Sequence, residues 1–295
     1  MNRAPGFHAQ VACRKLLTAC LLIAAFAPAA SAQDLSELPY VPTPQVVVDE
    51  MLKLAGVTAD DFVIDLGSGD GRIIISAAKR FQARGLGVDI DGKLVARSNQ
   101  TARVEKVDNL AQFVERDMFK ADIGRASVLT LYVLPDFMQR LRPKILAELK
   151  PGTRVVAHDY YFEEWHSDRM VTLTVPEKKE ANGTDKAYLY LWIVPAVVEG
   201  TWRIDLDAEE RSEELIVAFS QRFQTIEASA QKMRQPLPIQ NPTLTGAVVK
   251  FTITLGATAY QFSGRVDGDR IQGTATRTAG KAPLPWRGTL IVRER

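Results

Sequence analysis

The apolar positions of this chain change period near residue 195. Before that point, short apolar runs alternate with stretches of helical spacing. Tyr40-Val41-Pro42-Thr43-Pro44 is held extended by its prolines, so a helix can begin only after Pro44. Gln45 to Leu54 supplies it, with Val46, Val47, Met51 and Leu54 on an apolar face and Gly56 to end it. Phe62-Val63-Ile64 predicts a buried strand, and Ile73 to Phe81 a helix. Gly85 to Asp91 predicts a second strand ending in acid, Lys93 to Lys106 a helix, and Ala111 to Val114 a third strand. Val128 to Leu134 predicts a fourth strand that stops at Pro135; Met138 to Leu149 is helical, and Arg154 to Ala157 gives a fifth strand. Val171 to Val175 and Tyr188 to Val194 read as a closing antiparallel pair. Alternating strands and helices mean a parallel sheet wound on both faces, with right-handed crossovers.

From Thr201 the period becomes two. Phe251, Ile253 and Leu255 alternate with Thr252 and Thr254, Asp267-Gly268 marks a hairpin, and Trp286, Leu290 and Val292 form a last strand. This predicts a small all-β domain, an antiparallel sandwich or barrel, with Trp202, Phe219, Phe223, Tyr260, Phe262 and Trp286 as its core. The expected fold class is thus α/β, a doubly wound sheet at 45–195, joined by a linker at 196–200 to the β domain at 201–295.

The first residues carry a different pattern. Arg3, Arg14 and Lys15 precede the apolar stretch from Leu16 to Ala27, and Ala30-Ser31-Ala32 follows as a cleavage site. Residues 1–32 therefore read as a signal peptide, with an extended segment at 33–44 after it. The mature chain is expected to be exported, periplasmic or secreted, with no stable membrane span. Cys20 ends a Leu-Thr-Ala-Cys string but has no apolar region before it, so lipidation is not expected. Cys13 and Cys20 are the 2 cysteines of the 295-residue chain, and both precede the cleavage site. Disulfides, thiolate metal sites and a cysteine nucleophile are excluded from the mature chain. The net charge of +2 gives no reason to expect a nucleic-acid partner, and no metal site is expected.

Between the first strand and its helix lies Asp65-Leu66-Gly67-Ser68-Gly69-Asp70-Gly71-Arg72. A glycine-rich turn feeding a helix N-terminus presents free N–H groups to a ligand. A P-loop needs Lys and Ser or Thr where Arg72 and Ile73 stand. A dinucleotide fold wants G-x-G-x-x-G, and Asp65 would repel a pyrophosphate at this turn. The arrangement suits a ligand carrying positive charge.

With Asp89 ending the second strand and Asp117 following the third, the region from Tyr40 to Pro195 resembles the class I, seven-strand, Rossmann-like methyltransferases that use S-adenosylmethionine. The resemblance implies that the turn, from Asp65 through Gly67, Ser68, Gly69, Asp70 and Gly71, holds the methionine half of that cofactor. It implies that Asp89 takes both ribose hydroxyls and Asp117 the adenine amino group, with Ile90 and Met118 flanking the ring. The Tyr-Val-Pro-Thr-Pro segment, the Asp-Leu-Gly-Ser-Gly turn and Leu131 to Pro135 look like the lysine methyltransferases of the ATP synthase c-subunit and adenine nucleotide translocase. That likeness assigns Tyr40 and Thr43 to closing over the cofactor, although Tyr40 can equally serve in packing alone.

The expected acceptor is a protein, as a lysine amine, or a small molecule; Tyr132-Val133-Leu134-Pro135 stands where enzymes methylating nucleobase amines carry Asn-Pro-Pro-Tyr. An amine must lose a proton before it attacks, and Asp136, His158, Asp159 and Glu163 are the candidate bases. A non-catalytic exported protein binding an adenosine-like ligand on the same fold is the alternative. An exported domain also conflicts with a cofactor made in the cytosol. Supply of cofactor outside, another ligand there, and inefficient export each resolve that conflict.

Overall fold

The computed structural model describes residues 40–207, 212–277 and 282–293. The signal peptide, both cysteines and most of the segment at 33–44 lie outside the described residues. Helix α1 (Gln45–Leu54) is followed by β1 (Phe62–Leu66), α2 (Arg72–Phe81), β2 (Arg84–Asp89), α3 (Gly92–Val104) and β3 (Ala111–Glu115). Then come β4 (Val128–Leu131), α4 (Pro135–Glu148), β5 (Arg154–His158), β6 (Arg169–Thr174), a short α5 (Lys178–Asn182) and β7 (Lys186–Ile193). These strands form one sheet in the order β3-β2-β1-β4-β5-β7-β6. The first five strands of that order run parallel, and β7 is antiparallel to both β5 and β6. This is the Rossmann-like methyltransferase sheet with its antiparallel pair at one edge.

Burial explains the central strands. All four residues of β4 are buried, as are the last four of β1, as expected of parallel strands covered on both faces. Two expectations for these elements need correction. Val46 is half exposed, and the buried face of α1 is Val47, Val48, Met51 and Leu52, because the helix is phased by the i, i+1, i+4, i+5 positions that meet the sheet. The fourth strand ends at Leu131, and Pro135 opens α4 instead of closing the strand. A proline at the first helical position sacrifices an N–H that has no intrahelical partner there.

Residues 200–292 form the all-β domain, an antiparallel meander in the order β11-β10-β9-β8-β16-β15-β14-β13-β12. Its strands are β8 (Gly200–Asp207), β9 (Ser212–Arg222), β10 (Thr225–Lys232), β11 (Gln235–Leu237) and β12 (Ile239–Thr245). Strands β13 (Val248–Leu255), β14 (Thr258–Asp267), β15 (Arg270–Arg277) and β16 (Leu284–Val292) complete it. The first strand pairs with the last, and β10 curls round against β12, so the sheet is a nearly closed barrel, not a sandwich. Trp202, Phe219, Phe262 and Trp286 are buried inside it. Gly264 and Gly273 face each other across β14 and β15, and a Cβ on Gly264 would lie 2.8 Å from Ile271 Cγ2 and Trp286 Cη2. Glycine is therefore required where the curled sheet brings the indole onto the backbone. Phe223 is a correction: it sits at the β9–β10 turn with φ 55° and stacks on Trp165 of the α/β domain, outside the barrel core.

Candidate active site

The C-terminal ends of β1, β2, β4 and β5 bring the predicted residues to one edge of the sheet, where open α/β folds bind ligands. Asp65 is buried beneath the glycine turn and accepts a hydrogen bond from Thr130 Oγ1 at 2.7 Å. Burial, which outweighs that bond and is reinforced by the carboxylates of Asp89 and Asp70, pushes its pKa up to about 7. A buried acid surrounded by acids is a site that gains from a cation.

The turn above it is built on positive φ. Gly67, Gly69 and Gly71 stand at 77°, 54° and 81°, conformations that side chains with a Cβ resist. A Cβ on Gly69 would lie 2.6 Å from Tyr40 Cε2, and one on Gly67 would lie 3.3 Å from Val133 Cγ1. Gly71 opens α2, and its missing Cβ leaves room for Phe113. Gly69 N–H donates to Asp89 Oδ2 at 2.7 Å, while Asp91 N–H donates to Oδ1 at 2.9 Å. Each Asp89 oxygen keeps one further lone pair for a ligand hydroxyl. Ser68 Oγ is buried without a hydrogen-bond partner.

Asp117 caps the one-turn 3₁₀ helix Met118–Lys120 through Phe119 N–H at 2.9 Å, with Met118 buried beside it and Ile90 partly exposed. The structure thus brings together Asp65, Gly67, Ser68, Gly69, Gly71 and Asp89, with Ile90, Asp117 and Met118 at the neighbouring strand ends.

Tyr40 and Thr43 reach the same turn from outside. Asp70 accepts from the Arg72 guanidinium at 2.6 and 2.9 Å, and burial together with the neighbouring Asp70 carboxylate raises the pKa of the Tyr40 hydroxyl. Arg72 Nη1 also donates to the Thr43 carbonyl at 2.7 Å. Asp70 and Arg72 consequently fasten the extended segment over the turn. Arg72 entered the sequence argument only as the residue that rules out a P-loop; its position directly after Gly71 was the available signal.

The candidate bases separate. His158 ends β5 fully buried, its ring tilted against Tyr132 with centroids 4.1 Å apart. Burial, aided by the Lys178 cation and opposed by Asp159, lowers its pKa to about 4. It is therefore neutral near pH 7, and its 3.4 Å approach to Asp159 is no ion pair; Nε2 has no hydrogen-bond partner. Thr43 Oγ1 lies 3.4 Å from its Nδ1. Asp159, with φ 62°, is ion-paired to buried Lys178, whose Nζ also donates to the Lys186 carbonyl at 2.6 Å. Asp136, in the first turn of α4, and Glu163 are exposed at the rim. Lys178 was not foreseen, since its partner is far away in sequence and charge spacing gives no signal. Among the described residues no group of His, Cys, Asp and Glu could hold a metal ion.

Known proteins match this arrangement. The ANTKMT methyltransferase domain matches residues 65–169. A protein-lysine N-methyltransferase of Saccharolobus islandicus is 39% identical over 155 residues, which span 52% of this chain and 93% of that protein. The chain belongs to this methyltransferase family. A lysine N-methyltransferase of the ATP synthase c-subunit, from Xenopus laevis, is 33% identical over 52% of this chain, and the chain spans 63% of that relative's length. An RNA methyltransferase of Salinibacter ruber, solved with S-adenosyl-L-homocysteine, is 44% identical over 54% of this chain and 96% of its own, with a TM-score of 0.49.

The enzyme is an S-adenosylmethionine-dependent methyltransferase, and its residues fit that cofactor. No cation is among the groups that set the pKa of buried Asp65, the turn carries no Cβ at Gly67, Gly69 and Gly71, and Asp89 retains acceptors for a ribose.

Proposed function

We propose that this methyltransferase is exported and that its acceptor is a lysine amine of a protein. The observation that carries the acceptor is the aromatic wall beside the turn. Tyr132 follows β4, directly before the Val133 that faces Gly67, and stacks with Tyr160 at 6.1 Å. Tyr161 and Tyr190 form a separate ring pair, with centroids 5.6 Å apart. Aromatic faces accommodate both the methylene stem of a lysine and the cationic methylated product. The relatives that are protein-lysine methyltransferases point to the same acceptor.

Bound S-adenosylmethionine supplies an electrophilic methyl group for in-line displacement. The chain's own task is to align the amine with it and exclude water. Asp65 and the glycine turn would hold the cofactor's amino-acid end, and Asp89 its ribose. Asp117, Met118 and Ile90 would hold the adenine, and Tyr40 and Thr43 would close over the turn. An amine entering between aromatic rings is desolvated, which favours its neutral, nucleophilic form. His158 is buried under Tyr132 and Asp159 is held by Lys178, so neither is placed to touch the amine. Asp136 stands at the open rim and is the residue we assign to receiving the proton.

Methyl-labelled S-adenosylmethionine should transfer label to lysine when the full chain is incubated with periplasmic protein, and hydrolysis should recover methylated lysine. Asp89→Ala should lose S-adenosylhomocysteine binding by calorimetry. Label recovered in another residue, or in nucleic acid, would overturn the acceptor. For export, the protein from the periplasm should begin near Gln33; full-length protein confined to the cytosol would refute it.

A further inference from the structure

The loop between β5 and β6 carries the acceptor-side aromatics, and the β domain grips it. Trp165 is fully buried, its ring parallel to Phe162 at 5.3 Å on one side and to Phe223 at 5.9 Å on another. Phe223 belongs to the β9–β10 turn. The next residue of that turn, Gln224, uses both ends of its amide. Trp165 Nε1–H donates to Gln224 Oε1 at 2.8 Å, and Gln224 Nε2 donates to the His166 carbonyl at 2.7 Å. The same loop is fixed from the α/β side, where Gln139 Nε2 donates to the Tyr161 carbonyl at 3.1 Å and Trp192 Nε1–H donates to the Trp165 carbonyl at 2.7 Å. A continuous path therefore runs from the cofactor turn through Val133 and Tyr132 to Tyr160, along the loop to Trp165, and into the barrel at Gln224.

We infer that Gln224 and Phe223 are positioning residues for methyl transfer: the barrel's β9–β10 turn sets the loop that forms the acceptor wall. This rests on the proposed placement of the acceptor against Tyr132 and Tyr160. An amide that accepts on one side and donates on the other fixes the loop in two directions, and neither a carboxylate nor a methyl group reproduces both bonds. The side-chain bonds and ring stacking of the turn reach the β5–β6 loop and not the Asp65–Arg72 segment, so its effect falls on the acceptor and not on the cofactor.

The test compares Gln224→Ala, Gln224→Glu and Phe223→Ala in the full chain with the wild type. Two quantities are read: S-adenosylhomocysteine affinity by calorimetry, and methyl label incorporated into periplasmic protein at saturating cofactor. Misplacing a reacting group by a fraction of an ångström costs on the order of tenfold or more in rate, so labelling should fall about tenfold in Gln224→Ala. Affinity for S-adenosylhomocysteine should stay within about twofold of wild type, because those contacts are untouched. Gln224→Glu keeps the acceptor but loses the donor and sets a carboxylate against the His166 carbonyl and Asp168, so its labelling should fall at least as far. Unchanged labelling in all three variants overturns the inference, as does a parallel loss of cofactor affinity and labelling in Gln224→Ala and Phe223→Ala. The acceptor identity is judged separately, by whether the label lies on lysine; label elsewhere would refute that reading while leaving the variant-to-wild-type ratio as a test of the turn.

Discussion

Asp65 and His158 sit at strand ends of one sheet and bend stability with pH in opposite directions. Asp65 has a folded pKa of about 7 against an ordinary 3.8, so between those values the native state holds a proton that the unfolded chain has released. Its contribution to stability is complete below about pH 3.8 and is lost as pH rises through 7, a change on the order of a few kcal/mol. His158 has a folded pKa of about 4 against 6.5. Its contribution is present above pH 6.5 and is lost as pH falls through 4. The two slopes offset each other in the wild type. Asp65→Asn should expose the second, giving a melting temperature that drops more steeply than wild type as pH is lowered from 6.5 to 4. The same substitution tests the cofactor site. A cationic amino group drawn to Asp65 lowers its pKa, so S-adenosylhomocysteine should release a proton from the wild type at pH 6, measured by calorimetry in buffers of different ionisation heat. Asp65→Asn should release none and bind more weakly; equal proton release from both proteins would remove Asp65 from the site.

At the scale of the element, the turn from Gly67 to Arg72 and the strap from Tyr40 to Pro44 are one device. Gly69 and Gly56 offer a controlled comparison, since their φ values are 54° and 60°, yet a Cβ on Gly56 meets nothing within 4 Å whereas one on Gly69 meets the Tyr40 ring at 2.6 Å. Gly56→Ala should cost about 1 kcal/mol from backbone conformation alone and leave cofactor affinity intact. Gly69→Ala should add displacement of Tyr40 and weaken S-adenosylhomocysteine binding on the order of tenfold, a loss of about 1.4 kcal/mol. Matching affinities in the two variants would mean that Tyr40 does not close the site. Much of this device was legible in the sequence, because glycine spacing, an acid ahead of it and a Pro-x-Pro strap are local signals. The phase of α1 was less so: Val46 and Val48 are interchangeable by type, and only the direction of approach to the sheet selects Val48. Lys178 with Asp159 and Trp165 with Gln224 left no trace in the pattern, since pairings across 19 and 59 residues have no period. Barrel closure was equally hidden, because it depends on β8 meeting β16, the two strands farthest apart in the domain.

Across the whole molecule, two joints among the described residues tie the domains together. One is the Trp165–Gln224 grip. The other brings two turns together: Ala196 N–H donates to the Gly246 carbonyl at 2.8 Å, and a Cβ on Gly246 would lie 2.9 Å from Gly152 Cα. Gly246 has φ 55° and Gly152 has φ 98°, and Gly152 N–H is itself tied to the Val194 carbonyl at 2.8 Å, so neither backbone can yield cheaply. With both joints intact the α/β sheet and the barrel should unfold in one calorimetric transition, since each domain end is anchored to the other. Gly246→Val forces a branched side chain into a positive-φ position and against Gly152, opening the second joint at a cost on the order of 2–3 kcal/mol. Its barrel core, Trp202 to Trp286, is untouched. The variant should therefore show two transitions where the wild type shows one, and adding Gln224→Ala should separate them further than the sum of the single effects, because each joint limits the motion that the other would permit. A single transition in the double variant would show that the domains are coupled elsewhere, and that the chain from Val194 to Gly200 suffices to hold them as one cooperative unit.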